Sequence, residues 1–231
     1  MRYFVLSACI SLVLILPGHT AAQTTPEHPT AHARVPCGDS PTPGKRPTNM
    51  DCAVLARKQF IALPKGPLVL RLENFLTIEA AQQAGTPASA VVEAAGKVWL
   101  LTLGSKGERS QGGEFVTAIG PIPAVPQAPR YELQVSEADF GPEMNALVSN
   151  AVHTHSGPEI WYLFTGEQCL ETPSGTVRAR AGEGMFAPAE TPMQLNFVGP
   201  SKRDALFVIV HDSAKPATTV SNWRPQGTCQ K

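Results

Sequence analysis

No run of lysine or arginine longer than two residues occurs in the 231 residues, and the 19 basic side chains are matched by 19 acidic ones, so the formal net charge is zero. Without a cationic face or tail, an extended footprint for nucleic acid or anionic lipid is excluded. The chain also has no apolar run of the roughly 18–20 residues that span a bilayer. Its longest, from Tyr3 to Leu16, breaks at Pro17 and Gly18. Cysteine is scarce, five in all, and no two stand in the CxxC spacing, which argues against a zinc site built from thiolates.

The N-terminus carries a secretory pattern instead. Arg2 precedes the apolar run, and the small residues Thr20, Ala21 and Ala22 follow the break. This predicts a signal peptide over residues 1–22, cleaved after Ala22, and an exported protein, periplasmic or secreted, with no membrane span once the signal is gone. Leu6 to Cys9 has the form of a lipoprotein box, but it precedes most of the apolar run that such a box follows. Removal of the signal leaves Cys37, Cys52, Cys169 and Cys229, an even set for which oxidation is expected outside the cytosol. Three pairings are open, of which Cys37 with Cys52 is the most local.

Residues 23–50 are dense in Pro, Thr, Ala and His and hold few large apolar side chains, so they predict a disordered linker. His28 and His32 have the spacing of one helix face, but Pro26, Pro29 and Pro36 argue against that helix. Further on, short Val, Leu, Ile and Phe runs are punctuated by Gly and Pro, as in an all-β barrel or sandwich. A β-rich block over 51–128 is expected, with strands at 67–75, 89–93, 98–103 and 115–122, a tight turn at Ala95–Gly96, and one short helix over 77–84 capped by Thr77 and ended by Gly85. The Pro-punctuated connector 120–129 leads into a second block, 129–212, with eight short strands: 131–135, 151–155, 159–164, 168–171, 176–180, 185–187, 193–197 and 205–211. Eight suffice for a small jelly roll. Residues 213–231 read as a C-terminal tail.

The second block carries the chemistry. His153 and His155 are two apart, so on a strand both imidazoles leave the same face and can converge on one point. Ser156, Gly157 and Pro158 make a turn, after which Glu159 opens the next strand and can aim its carboxylate back at them. Two imidazoles and a carboxylate suit a divalent transition metal: iron(II) first, with zinc, manganese or nickel also compatible. At this chain's own His and Glu frequencies the pattern HxHxxxE arises on the order of 0.01 times by chance.

With Gly166 seven residues after Glu159, this cluster resembles the first motif of the cupin superfamily. Gly182 and Pro188 are similar to the opening of the second motif, 15 residues on, and the resemblance covers roughly residues 130–212. It implies a cupin or jelly-roll β-barrel, to which the N-terminal β-rich block and one short helix are added, and a metal held by His153, His155 and Glu159. Three departures stand out. Leu147 occupies the first motif's opening glycine, Glu190 a glycine of the second, and Met193 the position of a fourth ligand, a histidine. A thioether is a poor partner for the ions that His and Glu favour, which leaves a three-ligand face with open positions.

Trp161 and Leu163 alternate in phase with Glu159 and are expected to line the barrel interior with Met193, although core packing is their simplest role. His211, at the end of the last strand of the block, is the remaining pocket candidate. No residue declares itself a catalytic acid or base. Two functions fit: an exported metal-dependent enzyme, oxygenase-like by its ligand set, acting on a small molecule, or a small-molecule-binding module of the cell envelope without turnover. The expected partner is a small-molecule ligand or substrate and not nucleic acid; a homodimer is left open.

Overall fold

The computed structural model describes residues 37–141 and 151–230. The predicted signal segment, the linker up to residue 36 with His28 and His32, and Leu147 lie outside the described residues. In chain order, β1 (Gly38–Asp39), β2 (Cys52–Phe60), β3 (Leu68–Phe75), the short helix α1 (Ile78–Ala84), β4 (Ser89–Ala94), β5 (Lys97–Ser105) and β6 (Glu114–Ile119) precede the proline-rich connector. After it come β7 (Tyr131–Phe140), β8 (His153–His155), β9 (Glu159–Thr165), β10 (Glu167–Thr172), β11 (Gly175–Arg180), β12 (Gly184–Ala187), β13 (Gln194–Val198), β14 (Arg203–Asp212) and β15 (Thr218–Val220). The described chain is all-β with one short α-helix.

Local chemistry sets these elements. Thr77 Oγ1 accepts from the Ala80 amide at 3.2 Å and starts α1, and the Gly85 amide closes it on Gln82 O. Positive φ at both Ala95 and Gly96 makes the tight turn that joins β4 to β5.

The strands form a six-stranded sheet, β1-β2-β7-β14-β9-β12, a four-stranded sheet, β4-β5-β3-β6, a three-stranded sheet, β11-β10-β13, and the pair β15-β8. One face of the large sheet (Leu133, Val135, Ile160, Leu206, Val208) packs on the four-stranded sheet through Leu70, Leu72 and Leu101. The other face (Ala138, Trp161, Leu163, Ala205, Phe207) packs on the three-stranded sheet through Leu170, Leu195 and Phe197. Covered on both sides, β7 and β14 are buried over nearly their whole length.

Two boundaries differ from the sequence reading. Strand β2 falls in the first block by position, yet it pairs antiparallel along β7, from Cys52 opposite Ala138 to Phe60 opposite Tyr131, and so belongs to the sheet of the second. Residues 37–50, expected as linker, are tied down. A Cys37–Cys52 disulfide anchors them, β1 runs parallel to β2, and Arg46 bonds Glu137 at 3.2 Å and Asp139 at 2.6 Å. A covalent bond and part-buried ion pairs supply the fixation that composition withholds.

Candidate metal centre

Strand β8 is only three residues long and carries both histidines. It is held on one side by β15 (Thr218 opposite His155, Val220 opposite His153) and on the other by one bridge, in which His153 and Met193 exchange N–H···O bonds of 3.1 and 2.9 Å. The turn to β9 closes against β14: a Cβ on Gly157 would lie 1.7 Å from Val210 O, so only glycine fits. Val210 N also donates to Pro158 O at 3.2 Å. Gly166, at the far end of β9, has φ +76, and a Cβ there would meet Lys202 O at 2.7 Å.

This scaffold brings the three predicted ligands together. His153 Nε2 lies 3.1 Å from His155 Nε2, His155 Nε2 lies 3.3 Å from Glu159 Oε2, and one donor atom from each residue falls within 4.8 Å of the others. Each imidazole is oriented from behind: His153 Nδ1 donates to Ala151 O at 2.7 Å, and His155 Nδ1 to Ala217 O at 3.0 Å. With Nδ1 carrying the proton, both Nε2 lone pairs face inward. Buried Glu159 Oε2 receives no well-formed hydrogen bond. Two donors about 2.1 Å from one ion at tetrahedral or octahedral angles stand roughly 3.0–3.4 Å apart. The triad therefore fits a small divalent ion.

Burial and mutual charge tune the three groups. Burial draws His153 below its ordinary value, and the neighbouring His155 adds to this. Burial also acts downward on His155, but the adjacent Glu159 carboxylate outweighs it and the net shift is upward. For Glu159 burial acts upward, and His155, then His153 and Trp161, overcome it, so the carboxyl lies below its ordinary value. The carboxylate stays ionised, as a metal ligand must.

A cavity of about 420 Å³ opens beside the triad. Trp161 lines it and stacks on Phe207, ring centroids 4.3 Å apart. Met193, Leu163 and His211, the other pocket candidates, are buried but do not line it. Met193 and Leu163 sit in the apolar cluster between the sheets. His211 turns Nδ1 to Asp212 O at 2.9 Å and holds Nε2 3.6 Å from Glu132.

The sequence reading missed Arg57, Gln134 and Arg203, which line the same cavity. Strand register explains the first two: Glu159 pairs with Ile209, Ile209 with Gln134, and Gln134 with Arg57, so one crosswise row runs from the triad to the mouth. Arg57 donates there to Glu132, Gln134 and Asp39. Arg203, fully buried, lies against the rings of Phe197 at 4.6 Å and Trp161 at 4.9 Å and bonds Gln168 Oε1 at 2.7 Å. No local motif marks these residues; they meet only through the sheet.

No protein-family model and no curated protein sequence matches the chain. Solved structures to which the chain is similar include cupins. A cupin-like protein of Thermotoga maritima is 13% identical at TM-score 0.34, over 42% of this chain and 68% of that one. A cupin of double-stranded β-helix fold from Methanocaldococcus jannaschii is 12% identical at TM-score 0.30, over 33% and 68%. The oxalate decarboxylase of Bacillus subtilis, described as having Mn(II) centres, is 16% identical at TM-score 0.31, over 40% and 24%. No helix among the described residues is long and apolar enough to cross a membrane.

Proposed function

We propose that this chain is an exported cupin-type protein that holds a divalent transition metal through His153, His155 and Glu159 and presents it to a small molecule in the adjoining cavity. The observation that carries the reading is the inward convergence of two Nε2 lone pairs on a buried carboxylate, each imidazole locked from behind by a backbone carbonyl. Two histidines and one carboxylate favour iron(II) and leave coordination positions open. The ion, when bound, would supply Lewis-acid or dioxygen chemistry to a ligand that reaches those positions.

The rest of the pocket works through its own side chains. Trp161, Phe207 and Ile209 offer apolar walls, which suits a small organic molecule with an apolar body. Gln134 and Arg57 offer polar contacts toward the mouth. The two disulfides, Cys37–Cys52 and Cys169–Cys229, support an oxidising compartment outside the cytosol. A non-catalytic binding module remains the competing reading, since none of the cavity-lining side chains is placed as an acid or base apart from the ligands themselves.

The test is metal content. Protein reconstituted with iron(II) without oxygen is expected to hold about one ion per chain, and His153→Ala and Glu159→Ala are each expected to lose at least ~10-fold in affinity. A parent chain that retains no stoichiometric metal would sink the proposal. Oxygen uptake with small chelating acids then separates enzyme from binding module.

A further inference from the structure

The two imidazoles sit on a strand too short to stand alone, and its ladder partner among the described residues, β15, comes from the C-terminal segment. Backbone and side-chain bonds from residues 216–221 hold the segment from Val152 to Ser156. Ala217 O accepts from His155 Nδ1 at 3.0 Å and from the Ser156 amide at 3.3 Å. Pro216 O accepts from Ser156 Oγ at 2.8 Å, Thr218 Oγ1 lies 3.1 Å from His155 Nδ1, and the Ser221 amide donates to Val152 O at 3.0 Å. Yet Thr218, Thr219 and Val220 are exposed, so little apolar burial holds this strap in place.

Its far end is fastened instead. The buried Glu171 carboxylate on β10 accepts from the amides of Gln226 and Thr228, and Cys229 is bridged to Cys169 on the same strand. Cys169 itself is fully buried in the sheet.

We infer that the segment from Ser213 to Gln230 is the outer shell of the metal centre and that the Cys169–Cys229 bridge governs how firmly the centre keeps its ion. The inference rests on the metal reading above. Without the bridge the strap is tied covalently only through β14, and ordering it costs more chain entropy. As it frays, Ala217 O leaves His155 Nδ1, and the imidazole loses both its tautomer and its aim. Ala217 and Thr218 thus act as positioning residues, and the centre is complete only in the bridged chain.

The experiment uses cobalt(II) as probe and reads its visible spectrum, its affinity and its release to a chelator from the full chain. The Cys169→Ser/Cys229→Ser double variant is expected to bind cobalt at least ~10-fold more weakly and to expose the strap to limited proteolysis, with Cys37–Cys52 still intact. Thr218→Val leaves both bridges in place and is expected to weaken binding several-fold with an altered spectrum, so a double variant that does not fold leaves the test standing. Affinity equal to the parent's in the variants, with the double variant's strap cleavable, overturns the inference while the metal reading stands. A parent chain that binds no cobalt overturns both.

Discussion

Glu190 shows how one residue can be read twice. In the sequence it stands where the second motif of the resembling family has glycine. In the structure it has φ +57, the left-handed conformation that glycine adopts freely, while its amide donates to His155 O at 2.8 Å. The side chain is exposed, so nothing in the packing requires glutamate. Left-handed backbone costs a non-glycine residue about 1–2 kcal/mol, and glycine returns part of that through its freer unfolded state. Glu190→Gly is expected to stabilise the fold by roughly 0.5–1 kcal/mol, a rise in melting temperature of about 1–4 °C by calorimetry. A lower melting temperature would mean that the side chain has a partner role. Gly157 and Gly166 illustrate the converse, since a methyl group at either would collide with the backbone of β14 or the residue before it.

At the scale of elements, the centre depends on how β8 is pinned between β15 and Met193. Residues directly opposite in an antiparallel pair project to the same face with Cβ atoms about 5 Å apart. Met193 therefore leaves β13's approach on the same side as His153, although it packs into apolar core. An imidazole at this position could reach toward the ion from beside His153. Met193→His is expected to raise cobalt(II) affinity by about tenfold or more, measured by competition with a chromogenic chelator; unchanged affinity would place residue 193 out of the ion's reach. The strands themselves were largely legible, because alternation of apolar side chains and glycine or proline breaks are local signals. Strand β2, Cys52–Phe60, was not expected as a strand, and two further exceptions are instructive. Strand β7 runs five residues beyond the predicted end at Val135, through Ser136, Glu137, Ala138, Asp139 and Phe140, because β2 and β14 flank it on both sides. Strand β15 is polar and exposed, and only its pairing with β8 makes it a strand.

For the molecule as a whole, three carboxylates meet where the N-terminal arm docks on the large sheet. Asp204 lies opposite Asp139 in the β7–β14 ladder, near Glu137, with Arg46 and Lys202 as the facing cations. Burial first, then Glu137 and Asp139, push the Asp204 carboxyl up to about 6, against an ordinary value of 3.8; Lys202 and Arg46 offset this in part. Between those values the folded chain binds more protons than the unfolded one, so stability falls as pH rises through 4–6, and the loss is complete above about pH 6. Asp204→Asn is expected to be more stable than the parent at pH 7–8 and to lose that advantage near pH 4, by urea unfolding at each pH. An equal difference at both would show that charge is not the cause. The amino-acid sequence alone determined the strand-rich class, the helix and its cap, and the clustering of His153, His155 and Glu159, because each is written within a few neighbouring residues. Only the tertiary structure decided which cysteines pair, that Arg57 shares a row with Glu159, and that the C-terminal segment supports His155. Those relations join residues from 15 to about a hundred positions apart: the register of β2, β7, β14 and β9 aligns Arg57 with Glu159, the pairing of β15 with β8 brings the C-terminal segment to His155, and Cys229 reaches Cys169 on β10, where no local pattern could.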